Sequence, residues 1–327
     1  MQWPSGRAAA YDPGVSADRP YRYVFGPVAS RRLGRSLGVD LVPFKVCPLD
    51  CIYCQLGATV DLTTRRAAYV PVDEVLDELR RRLGEGVAAD HVTLSGSGEP
   101  TLHSELATIV AEIKRMTTIP LAVLTNGMLL GEAEVRRALL PADVVIPNLD
   151  AGDEATFQRI NRPATGLTLA GLVDGLIAFR REFRGRLLLE VFLVAGINDS
   201  DEQVARMAEL VRRIEPDGVE VNTVVRPPAE AWVQAVEPAR LARLAEMLGP
   251  AASVIATRIS PAAAAGAATA DDVLALVRRH PATVEDICLA LQVHPHRAAA
   301  LLDELLAAGQ IVAARQGERV FYQAPPE

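Results

Sequence analysis

Between residues 36 and 225, six short apolar runs alternate with helical stretches, and no other feature of the sequence restricts the fold as much. The runs 37–41, 91–95, 121–124, 143–147, 187–194 and 218–225 read as strands. The stretches 72–83, 104–116, 132–140, 153–160, 169–183 and 201–214 carry apolar residues at helical spacing. Strands alternating with helices of about 10–15 residues build a parallel sheet through right-handed crossovers. Six units are too few to close an eight-stranded barrel. The expected fold is therefore α/β, an open six-unit (β/α)6 partial TIM barrel over residues 36–258, finished by a helix at 239–248 and an apolar run at 254–255. Ligands of such folds gather at the C-terminal ends of the strands.

The flanks read differently. Residues 1–35 are rich in Pro, Gly and Arg without a clear period and are expected to form an irregular arm. Residues 259–269 form an Ala-rich linker, and residues 270–327 a small domain. In that domain Thr269-x-x-Asp272 and Thr283-x-x-Asp286 look like capping boxes, a third helix runs over about 295–307, and 311–314 and 319–322 flank a Gln316-Gly317 turn. Three helices and a hairpin in that order are winged-helix-like. Five arginines against eight acidic residues give residues 270–327 a formal charge of −3. The third helix offers few side chains for bidentate base contacts. The domain is expected to recognise a partner or cap the substrate, and not to read duplex DNA.

The chain as a whole carries 34 Lys and Arg against 41 Asp and Glu, a net charge of −7, which argues against wholesale binding to nucleic-acid phosphate. No uncharged apolar run is long enough for an ordinary spanning helix. The opening Met1-Gln2-Trp3-Pro4-Ser5-Gly6-Arg7 lacks the layout of a secretory signal, so a cytoplasmic location is expected.

Three of the four cysteines, Cys47, Cys51 and Cys54, fall within eight positions in the loop after the first of these strands. So dense a group of thiols suits one soft metal centre. Structural zinc takes four ligands, and no fourth Cys or His lies nearby, His91 being the nearest histidine. A [4Fe–4S] cube held by three cysteines keeps one iron free for a ligand. Buried cysteines grouped by chance are the remaining alternative. Cys288 sits at an apolar position of the second helix in the small domain and reads as an inert core thiol.

Polar motifs close the later strands: Ser95-Gly96-Ser97-Gly98-Glu99-Pro100-Thr101, Leu124-Thr125-Asn126-Gly127, Asn148-Leu149-Asp150, Gly196-Ile197-Asn198-Asp199, and Asn222-Thr223-Val224-Val225-Arg226. With Cys-x3-Cys-x2-Cys and Tyr53 before the last cysteine, the sequence over roughly residues 21–258 resembles the radical S-adenosylmethionine (radical SAM) superfamily. Its strand-end motifs are similar to those of the tRNA wybutosine-type proteins. The resemblance implies a [4Fe–4S] cluster on Cys47, Cys51 and Cys54, whose open iron is chelated by S-adenosylmethionine (SAM). A reduced cluster then splits SAM to a 5′-deoxyadenosyl radical that abstracts hydrogen from a substrate. The resemblance further implies that Gly98 and Glu99 attend the methionine end and that Tyr53 lies against adenine or cluster. Asn126, Asn148 and Asp150 then face the ribose, and a flavodoxin or ferredoxin-type protein is the reductant. Lys45, Arg226 and the run Arg31-Arg32-x-x-Arg35 are candidates for carboxylates or phosphates at the mouth, with solvated surface charge as their plainer reading.

Once three cysteines are assigned, only Cys288 remains, too few for the relatives that carry further clusters or an extra cysteine pair. What remains is single-cluster chemistry on an undefined small molecule, RNA or protein. A second reading joins the iron–sulfur site to the small domain as a redox-sensing winged-helix regulator. The strand-end Gly-Glu and Asn motifs favour the enzyme, because a sensor has no need of a SAM pocket.

Overall fold

The computed structural model describes residues 21–255, 268–291, 293, 295–317 and 319–325. Elements follow in the order β1 (Val24–Ser30), β2 (Gly34–Val39), β3 (Val46–Cys47), β4 (Asp61–Leu62), α1 (Val72–Gly84), β5 (His91–Leu94), α2 (Leu106–Met116) and β6 (Leu121–Leu124). Next come α3 (Ala133–Leu139), β7 (Val144–Ile146), α4 (Glu154–Asn161), α5 (Leu169–Glu182), β8 (Arg186–Leu193), α6 (Asp201–Ile214), β9 (Gly218–Thr223), α7 (Pro238–Leu248) and β10 (Ala252–Val254). One sheet runs β1-β2-β5-β6-β7-β8-β9-β10, with β1 antiparallel and every other neighbouring pair parallel. The six expected strands occupy the middle of this sheet. β1 and β10 are its two edges, so the barrel is open.

The expected irregular arm is corrected over residues 24–30, which form an edge strand on β2. Pro27 misled the reading, but an edge strand tolerates a residue with no donor. The arm's residues 1–20 and the linker's residues 259–267 lie outside the described residues.

Side chains alternate along the strands. On β8, Leu187, Leu189, Val191 and Leu193 join the core under the helices, while Leu188 faces the barrel interior with Ala122, Val144, Ile146 and Leu33. Glu190 and Phe192 share the face of Leu188 by the two-residue period and line the cavity above it. The helices close the outer layer with a regular apolar stripe. α6 buries Val204, Met207, Ala208, Val211 and Ile214, and the Ser200 hydroxyl caps its start by accepting from the Gln203 N–H.

The C-terminal module comprises α8 (Ala270–Arg279), α9 (Val284–Leu291), α10 (Pro295–Ala307), β11 (Val312–Gln316) and β12 (Arg319–Gln323) around its own apolar core. Both expected capping pairs form, Thr269 with Asp272 and Thr283 with Asp286. The module docks on β1. Val28 packs into its core, and the Arg279 guanidinium lies 4.3 Å from the Phe25 ring centroid and 3.5 Å from the buried Asp40 carboxylate. Among the described residues no helix is long and apolar enough to cross a membrane.

The start of β1 hangs on one buried carboxylate. Glu78 of α1 accepts from the backbone N–H groups of Arg22 (2.9 Å), Tyr23 (2.7 Å) and Val24 (3.1 Å). Glu78→Ala strands these donors, so it should cost about 2–3 kcal/mol of unfolding free energy in urea titrations. A cost below about 0.5 kcal/mol, the range of ordinary surface changes, would show that β1 is held by other contacts.

Candidate functional site

Two backbone hydrogen bonds fasten the start of the cysteine loop to the end of β5. The Lys45 N–H donates to Ser97 O at 2.7 Å and the Glu99 N–H to Val46 O at 3.1 Å. A Cβ on Gly98 would overlap the Val46 carbonyl, so the missing side chain makes room for the loop itself. Gly98 was expected to make room for the methionine ammonium; here its close neighbour is protein backbone. Further along, Asp50 and Ile52 donate to the Asn161 and Ile160 carbonyls of α4 at 2.9 and 3.0 Å.

Each cysteine of the loop has a side-chain N–H donor. Asn126 Nδ2 lies 3.5 Å from Cys47 Sγ, Asn161 Nδ2 3.3 Å from Cys51 Sγ, and Lys45 Nζ 3.1 Å from Cys54 Sγ. Burial, with the field of Glu99, pushes the Cys47 thiol up to about 12, and burial raises Cys51 well above its ordinary value. Burial pulls Lys45 down, yet the thiols, Cys54 first, hold it above its ordinary value. The arrangement combines soft ligands that a metal must deprotonate with a fixed ammonium and two amide donors that favour the thiolate form. Among the described residues no three His, Cys, Asp or Glu side chains converge on a single ion.

Glu99 is 3% exposed and fully engaged. Its carboxylate accepts from the Thr101 N–H (3.1 Å), the Thr101 hydroxyl (2.6 Å), the Thr125 hydroxyl (2.6 Å) and the Asn126 N–H (2.7 Å). Burial raises its pKa while these four donors pull it back. It holds the β6 loop so that Asn126 reaches Cys47.

Tyr53 stacks on Phe192 at 3.9 Å between centroids, and its hydroxyl donates to Asp150. Asp150, expected at the ribose, is 2% exposed and does not line the cavity. It also accepts from Asn161 Nδ2 at 2.8 Å and from the Phe192 N–H at 3.1 Å, so it orients Tyr53 and Asn161. Asn198 is likewise internal, donating to the Asp150 and Phe192 carbonyls at 2.7 and 2.8 Å.

A cavity of about 410 Å³ opens beneath the loop and is lined by Cys47, Cys51, Cys54, Tyr53, Gly98, Glu99, Asn126 and Asn148. That volume suits a small-molecule site. One wall is basic: Arg31, Arg32 and Arg226 line it with Arg279 and His280 of the C-terminal module. Arg35 does not reach it and pairs with Asp90 outside. Sequence reasoning missed Asn161, Arg279 and His280. The sign available for Asn161 was a polar residue on the buried face of α4, in register with Phe157 and Ile160.

The sequence profile of the Radical SAM superfamily matches residues 41–211, more than half of the chain. The chain belongs to the radical SAM superfamily. Enzymes of this superfamily use a [4Fe–4S] cluster and SAM, so membership favours the enzyme over the regulator reading. A UPF0026 protein of Helicobacter pylori (strain J99) is 31% identical over 304 residues, 92% of this chain and 97% of that one. A Brachyspira hyodysenteriae protein named GTPase Obg is 38% identical over 292 residues, 88% of this chain but 43% of its own length. The chain therefore spans less than half of that relative. Neither lysine here, Lys45 or Lys114, follows a glycine, so the sequence holds no Gly-x-x-x-x-Gly-Lys phosphate loop. The solved structure of a radical SAM methyltransferase from Sphaerobacter thermophilus shares the fold, with a TM-score of 0.51 at 19% identity over 67% of this chain and 65% of that one.

Two outcomes test this geometry without any bound group. Gly98→Ala should push the Val46 carbonyl away, cost about 1–3 kcal/mol, and speed alkylation of the cysteines in metal-free protein. Unchanged thiol reactivity would mean the loop does not rest on Gly98. Burial raises Asp150 from 3.8 to about 6, so the folded chain holds this proton more tightly than the unfolded one. Its contribution to stability is fully present below 3.8 and is lost as the pH rises through about 6. Asp150→Asn should flatten that part of the stability–pH curve, read as urea midpoints at pH 4 and pH 7. An equal fall in variant and parent would assign it to other groups.

Proposed function

We propose that Cys47, Cys51 and Cys54 hold three irons of the [4Fe–4S] cluster and that SAM lies in the cavity along the ends of β5, β6 and β7. The observation that carries this reading is the pairing of each thiol with its own N–H donor around one cavity. Three thiols each on a different iron need not converge on one ion, in keeping with the donor set found here. When bound, the reduced cluster supplies the electron that splits SAM and so furnishes the radical that takes hydrogen from the substrate.

The protein's own residues position and shield. Lys45, Asn126 and Asn161 direct hydrogen bonds at the three sulfurs, a lever on cluster potential. Gly98 and Glu99 act on SAM indirectly, by fixing the loop and Asn126. Tyr53, locked by Phe192 and Asp150, presents a flat face to the cofactor, and Asn148 supplies polar atoms toward the ribose. Asp150 acts through Tyr53 and Asn161 instead of touching the ribose. The C-terminal module is a substrate-side cap of winged-helix type. A flavodoxin or ferredoxin-type protein is the reductant, and the enzyme works in the cytoplasm on a small molecule.

Anaerobic reconstitution should give brown protein with about four irons per chain, and replacing any one of Cys47, Cys51 or Cys54 by Ala should remove most of the iron. Reduced protein given SAM should release 5′-deoxyadenosine. Stoichiometric zinc with no iron would overturn the assignment.

A further inference from the structure

The basic wall of the cavity supplies none of the side-chain donors found at the cysteine sulfurs. Its charges are unevenly matched. Arg32 pairs with Glu190 at 2.8 Å and Glu220 at 3.4 Å, and Arg279 with Asp40 at 3.5 Å. Arg226 has no such partner: among the described residues its one hydrogen-bond acceptor is the neutral Gln55 carboxamide oxygen at 3.2 Å. Its Nε is buried without an acceptor. Arg31 lines the same wall and donates to Asn222 Oδ1 at 3.2 Å. His280 completes it from the end of α8.

We propose that Arg31, Arg226 and His280 form a subsite for an oxyanion, a carboxylate or phosphate group of the substrate, in the cavity that the cysteines line. The proposal rests on the radical SAM reading above and names the substrate class of that site. A buried guanidinium N–H without an acceptor is costly, and an oxyanion satisfies it with a charge-assisted bond. The charges of the wall agree. Burial, then the fields of Arg226 and Arg32, bring Arg31 down to about 10. Burial lowers Arg226 as well, with Arg32 adding to the fall. Burial and Arg226, Arg279 and Arg31 hold His280 well below its usual value, so it is a neutral hydrogen-bonding group at pH 7. The carboxylates around this wall are Asp40, Glu190, Glu220 and Asp286. Asp40 binds Arg279, Glu190 and Glu220 bind Arg32, the fields of Glu190 and Asp286 reach Arg31, and that of Asp286 reaches Arg226. Both guanidiniums are dehydrated by burial, and Arg226 keeps an N–H without an acceptor among the described residues, the condition an anion relieves.

The subsite joins both halves of the chain. Arg31 comes from the turn between β1 and β2, Arg226 from the segment after β9, and His280 from the C-terminal module. These three segments flank the open side of the barrel, so the module forms a wall of the site.

The test is calorimetric titration of the reconstituted protein, saturated with SAM, with inorganic phosphate and separately with acetate at constant ionic strength. One of the two ions should bind, and which one distinguishes phosphate from carboxylate substrates. Arg226→Gln should weaken binding at least about tenfold, whereas Arg226→Lys and the exterior Arg35→Gln should weaken it less. No binding of either ion, equal binding by Arg226→Gln, or loss of binding on adding SAM would overturn the subsite; the last would give the arginines to the SAM carboxylate. The same titration of cluster-free protein, together with 5′-deoxyadenosine formation, separates the two failures. Anion binding without SAM cleavage supports the subsite while sinking the proposed reaction.

Discussion

The approach of the Val46 carbonyl to the bare Cα of Gly98 fixes where the cysteine loop lies relative to the sheet. From that contact the rest of the site follows by short steps. Glu99, next in sequence, is bonded to the same carbonyl through its N–H and uses its carboxylate to grip Thr101, Thr125 and Asn126. Asn126 then reaches Cys47. A buried carboxylate with four donors is tolerated because its desolvation is offset bond by bond. The polar strand ends are in this sense internal scaffolding as much as ligand contacts.

Much of this was legible in the sequence because periodicity and local spacing are local properties. The strand at 121–124 and the helix at 201–214 have the expected limits, and the cysteine spacing pointed to the site. The edge strand at 24–30 was hidden because Gly26, Pro27 and the following arginines mimic loop composition. Its pairing with β2 and its grip on Glu78 are tertiary. Asp150 shows the opposite error. A carboxylate at a strand end looks like a ligand contact, and only packing reveals that its oxygens already serve Tyr53, Asn161 and Phe192. Asn161, bonded to Cys51, and His280, which lines the same cavity as the cysteines, both lie more than 100 residues beyond them, a separation that no spacing rule spans.

The C-terminal module changes meaning once its contacts are known. Its negative charge suggested an appended partner-binding domain. In the structure Arg279 inserts between Phe25 and Asp40, and Asp40 in turn accepts from the Ser97 N–H at 3.1 Å, beside the β5 motif. Burial raises the pKa of Asp40 and the Arg279 guanidinium pulls it back. The module and the strand-end motif thus share one buried carboxyl group.

Lys45 adopts φ = 56°, a left-handed conformation that costs a side-chain-bearing residue about 1–2 kcal/mol. Its N–H is held by Ser97 O at 2.7 Å and its carbonyl accepts from the Val60 N–H at 3.1 Å, so the surrounding backbone leaves it no other shape. Glycine would fit this conformation without strain but would strip Cys54 of its ammonium donor. Durability of the fold and chemistry of the site therefore select in opposite directions at this one residue, and a lysine here records which of the two prevailed.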